Sequence, residues 1–329
     1  MNTLCWKSIA ISVACAVTLS YASDSVAQVL RKVGLLSPAT EKNPVQLEFD
    51  RRLAAAGWVP GKNVVIIYKS ANGRNDALPA LAAELVRESP DVIVTFGTPA
   101  SFAAKAATTT IPVVFASVGD PVGVGLAPAL ARPSGNITGI SGVTLALTAK
   151  RLELLRELLP GLRNVALLLN PSDPTADRVA EAGLAGARSL NLKVEIFHAA
   201  RPADLGSAFE AIKQSGASAV LLQPDGMFWT FREDIARLAA SKALPAMYGF
   251  AEHVAAGGLM SYGASFFGEG GMLAKCVDYV DRILKGARPA DLPIQEPTEF
   301  ELVLNKGAAA ALRLSIPQAV LLRASRVVE

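Results

Sequence analysis

The chain has 329 residues, a formal net charge of +3, 51% hydrophobic residues and only 6% aromatic ones. That length and apolar content are enough for two domains, each burying its own core. The small charge, with no Lys/Arg cluster and no interleaved aromatic platform, excludes a nucleic-acid surface, and no nucleic-acid partner is expected.

Residues 1–27 read as an export signal rather than as part of the fold. Lys7 supplies the positive start, Ser8–Leu19 the apolar run, and Ser25-Val26-Ala27 the small residues before cleavage at Gln28. The run is shorter than the roughly 20 residues that a membrane span requires. Val13-Ala14-Cys15 offers a rival, a lipid anchor at Cys15, but Ser12 stands where that signal wants Leu. Cys5 and Cys15 leave with the signal, so Cys276 remains alone and no disulfide within the chain is expected. Cys276 lies in a helical run and reads as a small buried hydrophobe. A soluble, monomeric, periplasmic protein is the expectation.

From Val29 onward, apolar runs alternate with amphipathic stretches. The pattern predicts strands at Val29–Ser37, Val64–Tyr68, Val92–Phe96, Pro112–Ala116 and Ile137–Ser141. Between them it predicts helices at Pro44–Ala56, Ala77–Arg87 and Ser101–Ala107, with Gly57 placed to stop the first. A Gly/Pro-rich stretch, Gly119–Gly125, and a helix at Leu147–Leu159 lead into the second half. There strands at Val165–Leu169, Lys193–Phe197, Ala219–Leu222, Ala246–Tyr248 and Leu259–Tyr262 alternate with helices at Ala176–Ser189, Ala203–Gln214 and Thr230–Ala240. A long helix over Gly271–Leu284, a strand at Glu301–Asn305 and a final helix complete the chain.

The two halves repeat one another. DALPALAAELVRESPDVIVTFGTP (Asp76–Pro99) and ADLGSAFEAIKQSGASAVLLQPDG (Ala203–Gly226) are each a helix, a turn, an apolar strand and a Pro-containing turn. Upstream, KVGLLSPAT (Lys32–Thr40) resembles NVALLLNPSDPT (Asn164–Thr175). Apolar strands such as VVIIY suit a parallel sheet covered on both faces. The fold class expected is α/β, two Rossmann-like lobes with parallel sheets joined by crossing segments. Lobe 1 is expected to hold 28–141 plus about 263–290 and lobe 2 142–262, with about 291–329 set provisionally in lobe 2 because the sequence does not assign it to either.

The repeat aligns Thr98 with Asp225, each at the carboxyl end of its strand, where open α/β sheets bind ligands. In Gly97-Thr98-Pro99-Ala100, Thr98 suits an N-cap and Pro99 the first helical turn. A helix starting there aims free N–H groups and a positive dipole end at the cleft, a site for a carboxylate. Ser37 offers a second donor. Asp225 and Asp120 are the acidic candidates for a ligand ammonium, although Asp-Pro and Asp-Gly also begin ordinary turns. Phe228, Trp229, Phe231, Tyr248, Phe250 and Tyr262 follow strand ends in the second half, and Tyr248 and Tyr262 are taken as candidate pocket walls. Only His198 and His253 occur, without metal-type spacing, and no phosphate loop, dinucleotide fingerprint or nucleophile elbow is found. The reading is a binder rather than an enzyme, with no cofactor or metal.

Many ordered motifs resemble one family. VGLLSP, AAAGWVPGKNVVIIYKSANGRNDALPALAAELV, DVIVTFGTPA, AATTTIPVVFASVGDPVGVGL, LARPSGNITGIS, AGGLMSYG and KGARPADLPIQEPTEFELVLN are similar to ABC-transporter substrate-binding proteins, a family with tryptophan- and tyrosine-binding members. The resemblance implies a type I periplasmic binding fold that closes on a ligand and delivers it to a permease with a separate ATPase. It also implies that Ser37 and Thr98 form the anion side, Asp120 the Gly-Asp-Pro turn and Asp225 the acid of the second lobe. The segment around Asp225, QPDGMFW, departs from the form expected of aromatic amino acid binders. An importer component for an amino acid or related zwitterion is the leading expectation. A ligand-sensing module reporting to a membrane receptor is the alternative, and a periplasmic enzyme the third class.

Overall fold

The computed structural model describes residues 30–329, so the export signal and the cysteines at 5 and 15 lie outside the described residues. The first lobe is built from β1 (Arg31–Ser37), α1 (Pro44–Ala55), β2 (Val64–Ser70), α2 (Leu78–Arg87), β3 (Val92–Phe96), α3 (Thr98–Ala107), β4 (Val113–Val118) and β5 (Ile137–Ser141). Its strands form a five-stranded sheet in the order β2-β1-β3-β4-β5, every pair parallel. Helices cover both faces, which is why β3 is buried along its whole length and reads VIVTF rather than as an alternating strand.

The chain then leaves this lobe. α4 (Thr144–Leu158), β6 (Asn164–Leu169), α5 (Ala176–Ser189), β7 (Lys193–His198), α6 (Leu205–Gln214) and β8 (Ala219–Leu222) follow. Next come α7 (Gly226–Thr230), α8 (Arg232–Ser241), β9 (Ala246–Tyr248), α9 (Ala251–Ala255) and β10 (Met260–Ala264). α10 (Met272–Leu284) turns back, and its apolar face (Leu273, Cys276, Val280) packs with Phe49 of α1 and Val94 of β3 in the first lobe. Cys276 is a fully buried member of that core. Leu292 and Ile294 stay against the first lobe, and Gln295 bridges Ile140. β11 (Phe300–Asn305), α11 (Lys306–Ala311), α12 (Gln318–Leu321) and β12 (Arg326–Val328) complete the second lobe. Its seven strands run β12-β11-β10-β9-β8-β6-β7, parallel except where β11 pairs antiparallel with β10.

Local chemistry sets several boundaries. At the end of α1, Gly57 adopts φ +97, its N–H reaches the Ala54 carbonyl and the next N–H reaches Leu53, a paired C-terminal cap. At α3, Gly97 adopts φ +80 and is itself the cap, so Thr98 is the first helical residue and Pro99 the second. This corrects the expectation of an N-cap threonine: the left-handed glycine lets the strand turn into the helix at once. No helix among the described residues is long and apolar enough to cross a membrane.

Candidate functional site

The carboxyl ends of β1, β3 and β4 face those of β6 and β8 across a cleft. Between them lies a pocket of about 590 Å³, part of it open to solvent. Ser37, Asn43, Thr98 and Ser117 line it from the first lobe, with Phe96 beside them; Asp173, Asp225, Trp229 and Phe250 line it from the second. Phe266, on the segment that returns from β10 to α10, contributes a further ring. Among the described residues, no Lys, Arg or His lines the cavity.

The first-lobe wall is a wall of donors. Thr98 and Ala100 sit in the opening turn of α3, whose first N–H groups have no carbonyl within the helix to bond. Pro99, without an N–H, loses nothing there. Oγ of Ser37 accepts the Ala39 N–H at 3.1 Å, which leaves the hydroxyl proton to donate. Ser117 takes φ +63 where β4 bulges, and this turns it into the cavity lining. Asn43 is already engaged: its Oδ1 caps α1 by accepting from Val45 and Gln46.

The second-lobe wall is acidic. Asp225 caps α7, and its Oδ1 accepts the N–H groups of Met227 and Phe228 at 2.9 and 3.0 Å. Its Oδ2 is buried with no hydrogen-bond partner. Burial raises the carboxyl above its ordinary range, opposed by the Phe228 N–H, the neighbouring Asn170 amide and the Met227 N–H. Behind this wall the Arg232 guanidinium stacks 4.6 Å from the Trp229 ring and holds it in place.

Of the residues expected at the ligand, the cavity brings together Ser37, Thr98 and Asp225. The others stand elsewhere. Pro99 and Ala100 are one and two residues into α3, Ala100 fully buried in the lobe core. Asp120 faces the rim, where Oδ1 accepts the Gly123 N–H and Oδ2 pairs with Arg178 of the other lobe at 2.9 Å. Tyr248 points into the core of the second lobe and stacks on His253 at 4.7 Å. Tyr262, in the middle of β10, stacks on Phe300 of the neighbouring β11. Both tyrosines are on strands whose alternation turns these side chains to the packed faces of the sheet, toward the second-lobe cores. The sequence reading missed Phe96, Ser117, Asp173 and Phe266. Asp173 had a signal, since it lies in the NPSDPT loop that repeats the turn after β1.

The lobes touch around the cavity. Nδ2 of Asn75 donates to Oγ of Ser172 at 3.0 Å, Asp120 meets Arg178, and Gly226 abuts the Pro38 ring. Two α/β lobes in contact around a pocket at their strand ends are the architecture of a protein that takes a small molecule between its lobes. The sequence profile of the family described as ABC transporter substrate binding protein matches residues 48–328, and the chain belongs to that family. It is 25% identical over 265 residues to the tyrosine-binding protein of Clostridioides difficile strain R20291, spanning 80% of this chain and 75% of that protein. A conserved domain protein from Vibrio cholerae superposes with a TM-score of 0.81 at 30% identity, covering 91% of this chain and 99% of the other. An ABC domain from Streptococcus pneumonia, solved in complex with L-Trp, gives 0.81 at 24% identity, covering 91% and 100%. The fold is thus the two-lobed α/β class expected from the sequence.

Proposed function

We propose that the protein captures an α-amino acid with an apolar or aromatic side chain and hands it to the permease and ATPase of an importer. The observation that carries this is Asp225: a buried carboxylate oxygen without a partner, in a cavity lined by no basic side chain among the described residues. A ligand ammonium supplies the missing donor and charge. Opposite, the opening turn of α3 with Thr98 and the Ser37 hydroxyl take the ligand carboxylate, so the two walls read the two ends of a zwitterion. Phe96, Phe266, Trp229 and Phe250 leave an apolar chamber for the side chain. The tyrosine-binding relative and the L-Trp complex of a similar fold agree with this chemistry. The export signal read in residues 1–27 supports a location outside the cytoplasmic membrane, where an importer meets its solute.

A thermal-shift screen of amino acids, nucleosides and small acids on the mature protein tests the reading. The true ligand adds about 4 kcal/mol of stability at a thousandfold excess over its Kd. Thr98→Val is expected to weaken that ligand by roughly 1.5–3 kcal/mol in calorimetry, as for a hydrogen bond to a charged group. A screen in which only uncharged solutes raise the melting temperature refutes the amino acid assignment.

A further inference from the structure

Asp225 is not the only acid on its wall. Asp173, on the loop after β6, lines the same cavity and is 5% exposed, against 2% for Asp225. Each carboxylate is satisfied on one side only. Thr175 gives both its N–H and its hydroxyl to Oδ1 of Asp173, at 2.8 and 2.7 Å. Asp225 likewise receives both of its backbone bonds on Oδ1, while its Oδ2 is buried and unpartnered.

The surroundings supply no countercharge. From the first lobe the pair is faced by Ser37, Asn43, Thr98 and Ser117, all neutral. On the rim Asp120 is matched by Arg178 of α5, with Asp177 beside it in the same helix. Arg151 of α4 turns its guanidinium to the carbonyls of Tyr262 and Thr144. Arg232 of α8 lies over Trp229, with Glu252 and His253 of α9 on the same side. Two desolvated carboxylates lining one cavity oppose each other's ionisation. Burial, then the charge on Asp225, raises Asp173 to about 7, and burial raises Asp225 as well.

We propose that Asp173 and Asp225 share one proton while the cleft holds no cation, and that capture of an ammonium-bearing ligand expels it. The exchange balances: the pair passes from one negative charge to two, the ligand brings one positive charge, and the proton goes to solvent. Asp173 is then the residue that makes the site count charge, because a ligand without a cation leaves the proton where it is. The inference rests on the amino acid reading and adds a linkage to it. Its sign follows from the raised carboxyl. Below about pH 7 the ligand must displace the proton, so affinity rises with pH by up to about tenfold per unit and levels off above.

Isothermal titration with L-tryptophan and L-tyrosine, in phosphate and in imidazole, measures the proton count from the difference in apparent enthalpy. Release of about one proton per ligand near pH 6 is expected, falling toward none at about pH 8.5. Asp173→Asn is expected to release fewer protons near pH 6 and to move its remaining release to lower pH, because the like charge beside Asp225 is gone. Binding by the wild-type protein without proton release, or a release profile unchanged in D173N, overturns the proposal and leaves the amino acid reading standing. Failure of the wild-type protein to bind either amino acid overturns both. The wild-type pair of buffers decides the matter even where D173N does not fold.

Discussion

Gly226 and Pro38 show how much a single atom decides at this cleft. Gly226 opens α7 on the second lobe, and a Cβ there would overlap the Pro38 ring of the first. Gly73 stands in the same relation to Phe231, also across the cleft. Neither constraint exists within one lobe, so both belong to the closed arrangement. Gly226→Ala is therefore expected to leave the unliganded melting temperature nearly unchanged. Its ligand affinity should fall tenfold or more, in line with the roughly 1–3 kcal/mol of an added methyl in a packed contact. Calorimetry and thermal melting together check this; equal losses in both would place the clash inside the fold rather than at closure. At this scale the sequence exposed Ser37, Thr98 and Asp225, since their positions follow from strand ends. Phe96 and Phe266 were not legible, because nothing local tells which face of a strand end or which loop turns toward a cavity.

Elements were the most readable level. Apolar runs such as VIVTF and AVLL became β3 and β8, and Gly57 and Pro160 stopped helices where turn chemistry places them. The short α7 and α9 and the terminal β12 escaped, as they carry little periodicity of their own and exist by packing on neighbours. One junction is under tension. Val143, between β5 of one lobe and α4 of the other, adopts φ 43 and ψ 33, a region that a β-branched residue avoids. Such a position costs of order 1–3 kcal/mol, and here it lies where the chain passes from lobe to lobe. Val143→Gly is expected to raise the melting temperature, because the relieved strain exceeds the roughly 0.5–1 kcal/mol that glycine's flexibility takes back. A lower melting temperature would show that the valine side chain's packing outweighs its backbone.

For the whole molecule, closure is held by contacts that are individually weak. Asp120 and Arg178 pair across the rim while both remain partly exposed, 23% and 45%. A pair of that kind contributes about 0–1 kcal/mol and is screened by salt. Arg178→Ala should accordingly speed ligand release by less than about fivefold at low salt, with the difference vanishing near 1 M salt. Stopped-flow dissociation at several ionic strengths would reveal it, and a salt-independent effect would assign Arg178 a packing role instead. On the proposed reading, selectivity rests on the buried acids and the donor wall, where each unpaired group is expensive.

By itself the sequence determined the alternation of strand and helix, the duplication, and the two strand ends that carry Thr98 and Asp225. These follow from short-range patterns: apolar period, turn residues and the offset between repeats. Tertiary structure alone decided that Asp173 joins Asp225, that Asp120 serves the rim, and that Tyr248 and Tyr262 turn inward. Those outcomes depend on how two lobes meet and which side of each strand faces the gap, a geometry set by contacts between residues far apart in the chain.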